Sequence, residues 1–179
     1  KHMNPTASGY RLNYLVDQMS EAAVQYSRAH YFGLISYLDN QLGRILDFVE
    51  KNKLGKKTLI VFTADHGDNI GDHGIFFKSV MTEGSTHIPM IISLPGRIKH
   101  QTCDVPAAQE DIVPSICEIA EITPSGEFDG VSVMDMLDGK IEKHKPFAIS
   151  QHGSGEGMTM MIRRDNLKYC FSRYESTEE

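Results

Sequence analysis

Leu59-Ile60-Val61-Phe62-Thr63-Ala64-Asp65-His66-Gly67-Asp68-Asn69-Ile70-Gly71-Asp72-His73-Gly74 runs an apolar tetrad straight into carboxylates, imidazoles and glycines. An apolar run of this length closed by Asp-His-Gly reads as a buried strand that delivers polar ligands from its C-terminal end. Open α/β sheets place their sites there. Neighbouring strand residues point to opposite faces, but where the chain turns out of the strand Asp65 and His66 can converge on one cation. Gly67 permits the sharp turn. The plainer alternative is an Asp that caps a turn and a His that packs.

Outward from this stretch, residues 31–54 carry Phe32, Ile35, Leu38, Leu42, Ile45, Leu46 and Val49 at spacings of three and four, which predicts a long amphipathic helix capped at Gly55. A separate helix is expected over residues 10–28, where apolar spacing is interrupted by polar residues. The strand at 58–64 follows after a connection of the length found in wound sheets. Ile88-Pro89-Met90-Ile91-Ile92-Ser93-Leu94 predicts a second strand ended by Pro95-Gly96. Beyond it come an amphipathic helix at 111–122, a helical turn at 131–137, and strands at 146–151, 158–164 and 168–171 with a turn at 163–166. The expected fold class is α/β, with residues 1–125 as core and 126–179 as a small strand-rich α+β subdomain.

Bulk properties exclude more than they assign. With 179 residues, 40% hydrophobic and 23% charged, the chain can bury one sizeable core. A net charge of -6 without a Lys/Arg stripe argues against nucleic-acid binding. Cys103, Cys117 and Cys170 form no C-x-x-C pair, so neither a disulfide scaffold nor a zinc ribbon is expected. No apolar run is long enough for a membrane span. Lys1-His2-Met3 looks like a cloning scar with no signal peptide after it, and the chain stops without a closing element, which is expected of a fragment.

Four further groups merit weighing beside Asp65 and His66. Asp72-His73-Gly74 repeats the motif seven residues on and could donate a second set of ligands, His73 among them, but no strand precedes it and glycines at 71 and 74 make a compact loop, so Asp68 and Asp72 read as turn formers that support the ligands. Lys78 follows Phe76 and Phe77; it is either a solvated surface charge or an inward cation for an anionic substrate. His87 precedes the second core strand and His152 ends a later one, and each is either a structural group or a contributor to the pocket.

Taken in order, Tyr31-Phe32-Gly33-Leu34-Ile35 through Leu46, Thr63-Ala64-Asp65-His66-Gly67-Asp68, Gly71-Asp72-His73-Gly74, Phe77-Lys78, Ile88-Pro89-Met90-Ile91-Ile92 and Pro95-Gly96-Arg97-Ile98 resemble the C-terminal half of the sulfatase family. The likeness continues through Asp111-Ile112-Val113-Pro114-Ser115-Ile116, Gly130-Val131-Ser132 and Met161-Ile162-Arg163. Thr-Ala-Asp-His-Gly alone is shared across the alkaline phosphatase superfamily. The ordered set, with a lysine twelve residues after His66, is the sulfatase pattern.

The resemblance implies an alkaline-phosphatase-like sheet flanked by helices and hydrolysis of sulfate esters by a formylglycine nucleophile. It carries Asp65 and His66 onto metal ligands and Lys78 onto the sulfate-contacting lysine. The implied metal is Ca²⁺, with Mn²⁺ or Zn²⁺ as alternatives, because many sulfatases have Asn where His66 stands and imidazole suits the softer ions better. The nucleophile motif C-x-[PSA]-x-R is not found in this chain: Cys170-Phe171-Ser172-Arg173 brings its arginine one residue early. The paired aspartates and upstream histidine of the family are also missing, so the chain alone is expected to be inactive. The implied substrate is a sulfated small molecule or carbohydrate, in a periplasmic or secreted setting. Self-association through apolar surface is expected of the isolated chain. Two rivals stand beside this reading: a phosphonate or phosphate monoester hydrolase of the same superfamily, and a non-catalytic binding domain.

Overall fold

The computed structural model describes residues 18–140, 144–153 and 157–173. By internal contacts the chain falls into two compact units, Lys1–Arg97 and Ile98–Glu179.

In the first unit a single helix α1, Glu21–Lys51, replaces the two expected helices. No glycine or proline interrupts residues 21–32, so the polar gap in the apolar spacing does not break the backbone ladder. The portion of the expected first helix over residues 10–17 lies outside the described residues. Ser20 caps the start, its hydroxyl accepting from the Ala23 amide at 3.2 Å, with Glu21 favourably placed in the first turn. The other end also differs from expectation. The helix stops at Asn52 and Lys53 takes the left-handed position, φ 56°, that Gly55 was expected to fill. Gly55 instead opens a 3₁₀ turn, Gly55–Lys57. No residue of α1 is buried, and Phe32, Ile35, Leu38 and Ile45 of its apolar stripe are largely exposed.

Strand β1, Ile60–Thr63, pairs antiparallel with β4, Met90–Ser93, in the register Ile60↔Ser93 to Thr63↔Met90. Both strands fall where the sequence placed them, slightly shortened. The expectation of a buried strand is not met: Phe62 and its partner Ile91, which share one face of the pair, are both exposed. Between them lie a short antiparallel pair, β2 (Asn69–Ile70) with β3 (Phe76–Phe77), and a one-turn helix α2, Glu83–Thr86. Ile75 and Val80 form the small buried apolar cluster beneath this loop region.

In the second unit a 3₁₀ turn, Gln109–Asp111, leads into α3, Ile112–Ile119, followed by α4, Met134–Leu137. An antiparallel sheet then runs β5 (Ala148–His152), β6 (Thr159–Arg164), β7 (Leu167–Ser172), in that spatial order. Alternation decides its faces: Thr159 and Met161 point in, while Met160 and Ile162 are more open. Asp165, φ 50°, makes the expected tight turn from β6 to β7. Val133, Met134, Met136, Ala148 and Met161 are the buried apolar residues of this unit. Cys103, Cys117 and Cys170 are all unpaired, and no helix among the described residues is long and apolar enough to cross a membrane.

Candidate active site

Asp65 and His66 leave the end of β1 together, as the strand-end reading required. The Asp65 carboxylate accepts from the amide of the next residue, His66, at 2.9 Å. His66 Nδ1 lies 3.0 Å from the Gly67 carbonyl oxygen. A carbonyl only accepts, so Nδ1 is the donor in this contact. Nε2 lies 3.3 Å from Asp65 Oδ2. A carboxylate oxygen and a ring nitrogen this close need something positive between them, either a proton or a cation. Ligand atoms sharing one divalent ion at 2.0–2.4 Å stand about 3 Å apart, so the spacing suits a metal. With side chains 84% and 33% exposed, the two remain open to solvent on that side. Among the described residues no three His, Cys, Asp or Glu side chains gather as a metal-holding group.

The turn beneath them is rigidly backed. Gly67 donates its amide to the Ser85 carbonyl at 2.8 Å, and a β-carbon at Gly67 would collide with the Gly84 carbonyl oxygen. Only a residue without a side chain lets this turn pass so close to α2. The loop that follows is fastened from α1. Arg28 donates from Nε to the Ile70 carbonyl and from Nη2 to the Asp72 carboxylate, both at 2.8 Å. Asp72 is therefore a loop anchor, in keeping with its reading as a turn former. Asn69 has no exposed surface; it donates to the Phe77 carbonyl at 2.8 Å and accepts from the Thr82 hydroxyl at 2.7 Å.

Lys78 is exposed on this loop, with Phe77 (φ 67°) and Ser79 (φ 71°) on either side of it in the left-handed region. Non-glycine residues there cost about 1–3 kcal/mol each and persist only where the surroundings hold them. His73 is a third, φ 57°, exposed at the tip of the loop. Asp68 is half-buried within the turn. His87 reaches Glu83 on α2 at 3.4 Å, a helix-surface pairing. His152 ends β5 in the second unit, exposed.

A second polar cluster, in the other unit, gathers around Asp111. Asp111 is fully buried; its carboxylate accepts from the Ala108 amide at 2.8 Å, the Val131 amide at 2.9 Å and the Lys145 ammonium at 3.0 Å. Lys145 also bonds Glu110 at 2.9 Å. Burial alone would lower the Lys145 pKa, but the hydrogen bonds to Glu110 and Asp111 outweigh it, and the net shift is upward. His144 is buried alongside, Nδ1 on the Lys145 carbonyl at 2.9 Å and Nε2 3.8 Å from Asp111. Arg28, Lys145 and His144 all meet their partners across long sequence separations or from irregular segments, and neither periodicity nor motif marks them.

Comparison with known proteins identifies the family. The sulfatase family profile matches residues 2–122. Arylsulfatase K of Gallus gallus is 32% identical over 161 residues, 85% of this chain and 30% of that protein. Among solved structures, the phosphonate monoester hydrolase of Agrobacterium radiobacter superposes with a TM-score of 0.80 at 26% identity, covering 86% of this chain and 34% of that one. A protein solved in complex with its substrate D-glucosamine-2-N,6-O-disulfate superposes with a TM-score of 0.70 at 25% identity, over 76% of this chain and 29% of that one. The chain belongs to the sulfatase family, within the alkaline phosphatase superfamily, and has its α/β fold. It spans about a third of the length of the relatives it matches.

Proposed function

We propose that the full-length protein is a sulfatase that hydrolyses sulfate esters, with Asp65 and His66 holding part of a divalent metal site and Lys78 binding the sulfate group. The observation that carries this reading is the approach of Asp65 Oδ2 and His66 Nε2 to 3.3 Å at a strand end in a sulfatase-family chain. A bound divalent ion would act as a Lewis acid on a sulfuryl oxygen. An oxygen and an imidazole nitrogen suit calcium less well than manganese or zinc, so the ion is Ca²⁺ by family resemblance and Mn²⁺ or Zn²⁺ by donor chemistry.

The chain's own residues divide the remaining work. Asp65 and His66 are pre-oriented by the Gly67 carbonyl and the His66 amide, so their donor atoms need no rearrangement on binding. Lys78 supplies a mobile ammonium to charge that grows on the sulfuryl oxygens. The formylglycine nucleophile comes from sequence outside this chain, and the 179-residue chain alone turns over nothing. A sulfated carbohydrate or other small sulfate ester is the substrate class, supported by the sulfated sugar held by one structural relative. The exposed apolar stripe of α1, with Phe32, Ile35 and Leu38, supports self-association of the isolated chain.

Phosphonate or phosphate monoester hydrolysis is the second reading, favoured by the fit to the Agrobacterium radiobacter hydrolase. The full-length protein assayed on matched aryl sulfate, aryl phosphate and phosphonate monoester decides between them. Preference for the sulfate supports the first reading, preference for either phosphorus ester the second, and turnover of none of them supports a non-catalytic binding domain.

A further inference from the structure

Lys78 sits at the crown of an arch whose two flanking residues, Phe77 and Ser79, both have positive φ. Their β-carbons make that backbone unfavourable by itself, so the arch keeps its shape only if its feet are held. One buried amide holds both feet. Asn69 Nδ2 donates to the Phe77 carbonyl just before Lys78, and Asn69 Oδ1 accepts from the hydroxyl of Thr82, four residues after Lys78. Since a carbonyl cannot donate, the orientation of the amide is fixed by its partners. The fit is close: a β-carbon at Gly84 would stand 3.0 Å from Asn69 Oδ1. An aspartate at 69 would set one acceptor against another at Phe77, and an aliphatic residue would remove both of these side-chain hydrogen bonds. The same Asn69 lies three residues beyond His66, on the segment that leaves the ligand turn.

We infer that Asn69, seated by Thr82, is a positioning residue for Lys78: it fixes the Phe77–Ser79 arch so that the ammonium meets the anionic group of the substrate in one orientation. The inference rests on Lys78 as the anion-binding cation. Asn69 touches no substrate; its effect passes through Lys78 and disappears when the ammonium is gone.

The test is a double-mutant cycle in the full-length enzyme on an aryl sulfate. Thr82→Val should lower kcat/KM about fivefold and Asn69→Ala about tenfold or more, the range in which misplacement of one catalytic group operates, while Thr82→Ser keeps the parental rate. In a Lys78→Ala background the same changes should alter kcat/KM by less than about twofold. Equal losses with and without Lys78 would mean Asn69 and Thr82 are merely structural and would overturn the inference. Parental turnover by Lys78→Ala itself would remove the reading of Lys78, and the inference with it; a Lys78 effect without coupling removes the inference alone. Should Asn69→Ala fail to fold, the Thr82→Val and Thr82→Ser pair decides by the same criterion.

Discussion

Two Asp–His pairs in this molecule share a plan and differ in one respect. In both, histidine Nδ1 faces a backbone carbonyl, that of Gly67 for His66 and that of Lys145 for His144, and Nε2 looks toward an aspartate, at 3.3 Å and 3.8 Å. Asp111 is buried and saturated by two backbone amides and a lysine. Asp65 is open and bonded to the adjacent backbone. A saturated buried carboxylate has nothing left to offer a ligand, and its removal orphans its partners. An exposed carboxylate bonded only to the adjacent backbone contributes little to the fold, which leaves it free for the cation proposed above. In the buried pair His144 Nε2 lacks a hydrogen-bond partner, but it is closed off from solvent.

The comparison breaks most visibly at Asp65. Asp65→Ala should abolish turnover in the full-length protein while leaving its melting temperature close to parental, because no buried group depends on this carboxylate; a large loss of stability with activity retained would reverse the two roles. Asp111→Ala should do the opposite. Removing one partner of a buried ion pair costs about 3–5 kcal/mol, read by urea denaturation, with turnover per folded molecule retained. Lys78→Ala should lower kcat/KM by about 10²-fold without unfolding, the scale of losing one cation aimed at transition-state charge. Parental kinetics would return Lys78 to the solvated surface.

A smaller effect sharpens the second pair. The Lys145 pKa is raised in the folded state, so its contribution is fully present below the ordinary lysine value and is lost as pH rises through the folded one. Between pH 9 and pH 11.5 the unfolding midpoint should fall further in the parent than in Lys145→Met. Parallel decline in the two proteins would show that the lysine is not linked to stability.

What could be read in the sequence follows from range. Strands 60–63 and 90–93 and the three C-terminal strands announce themselves through apolar runs and alternation, which are local. The Asp65–His66 pair was legible because strand end and glycine are adjacent to it. The single helix α1 was not, since a polar stretch around Ser27 and Arg28 breaks the apolar rhythm without breaking the backbone. Arg28 does its work on Ile70 and Asp72, more than forty residues away, and no spacing rule reaches that far. His144 lacked any neighbouring ligand pattern, yet it is buried against Asp111. The left-handed Lys53 and Phe77 stand where glycine would be the local choice, so tertiary contacts, not residue preference, set them.

Metal stoichiometry tests the Asp65–His66 assignment most directly. Elemental analysis of the full-length protein after exhaustive dialysis, for the parent, Asp65→Ala and Asp111→Ala, compares the two pairs on one scale. The parent and the folded fraction of Asp111→Ala should each retain about one divalent ion per chain, and Asp65→Ala should retain none. Parental metal content in Asp65→Ala would contradict the assignment of the open pair as the cation site.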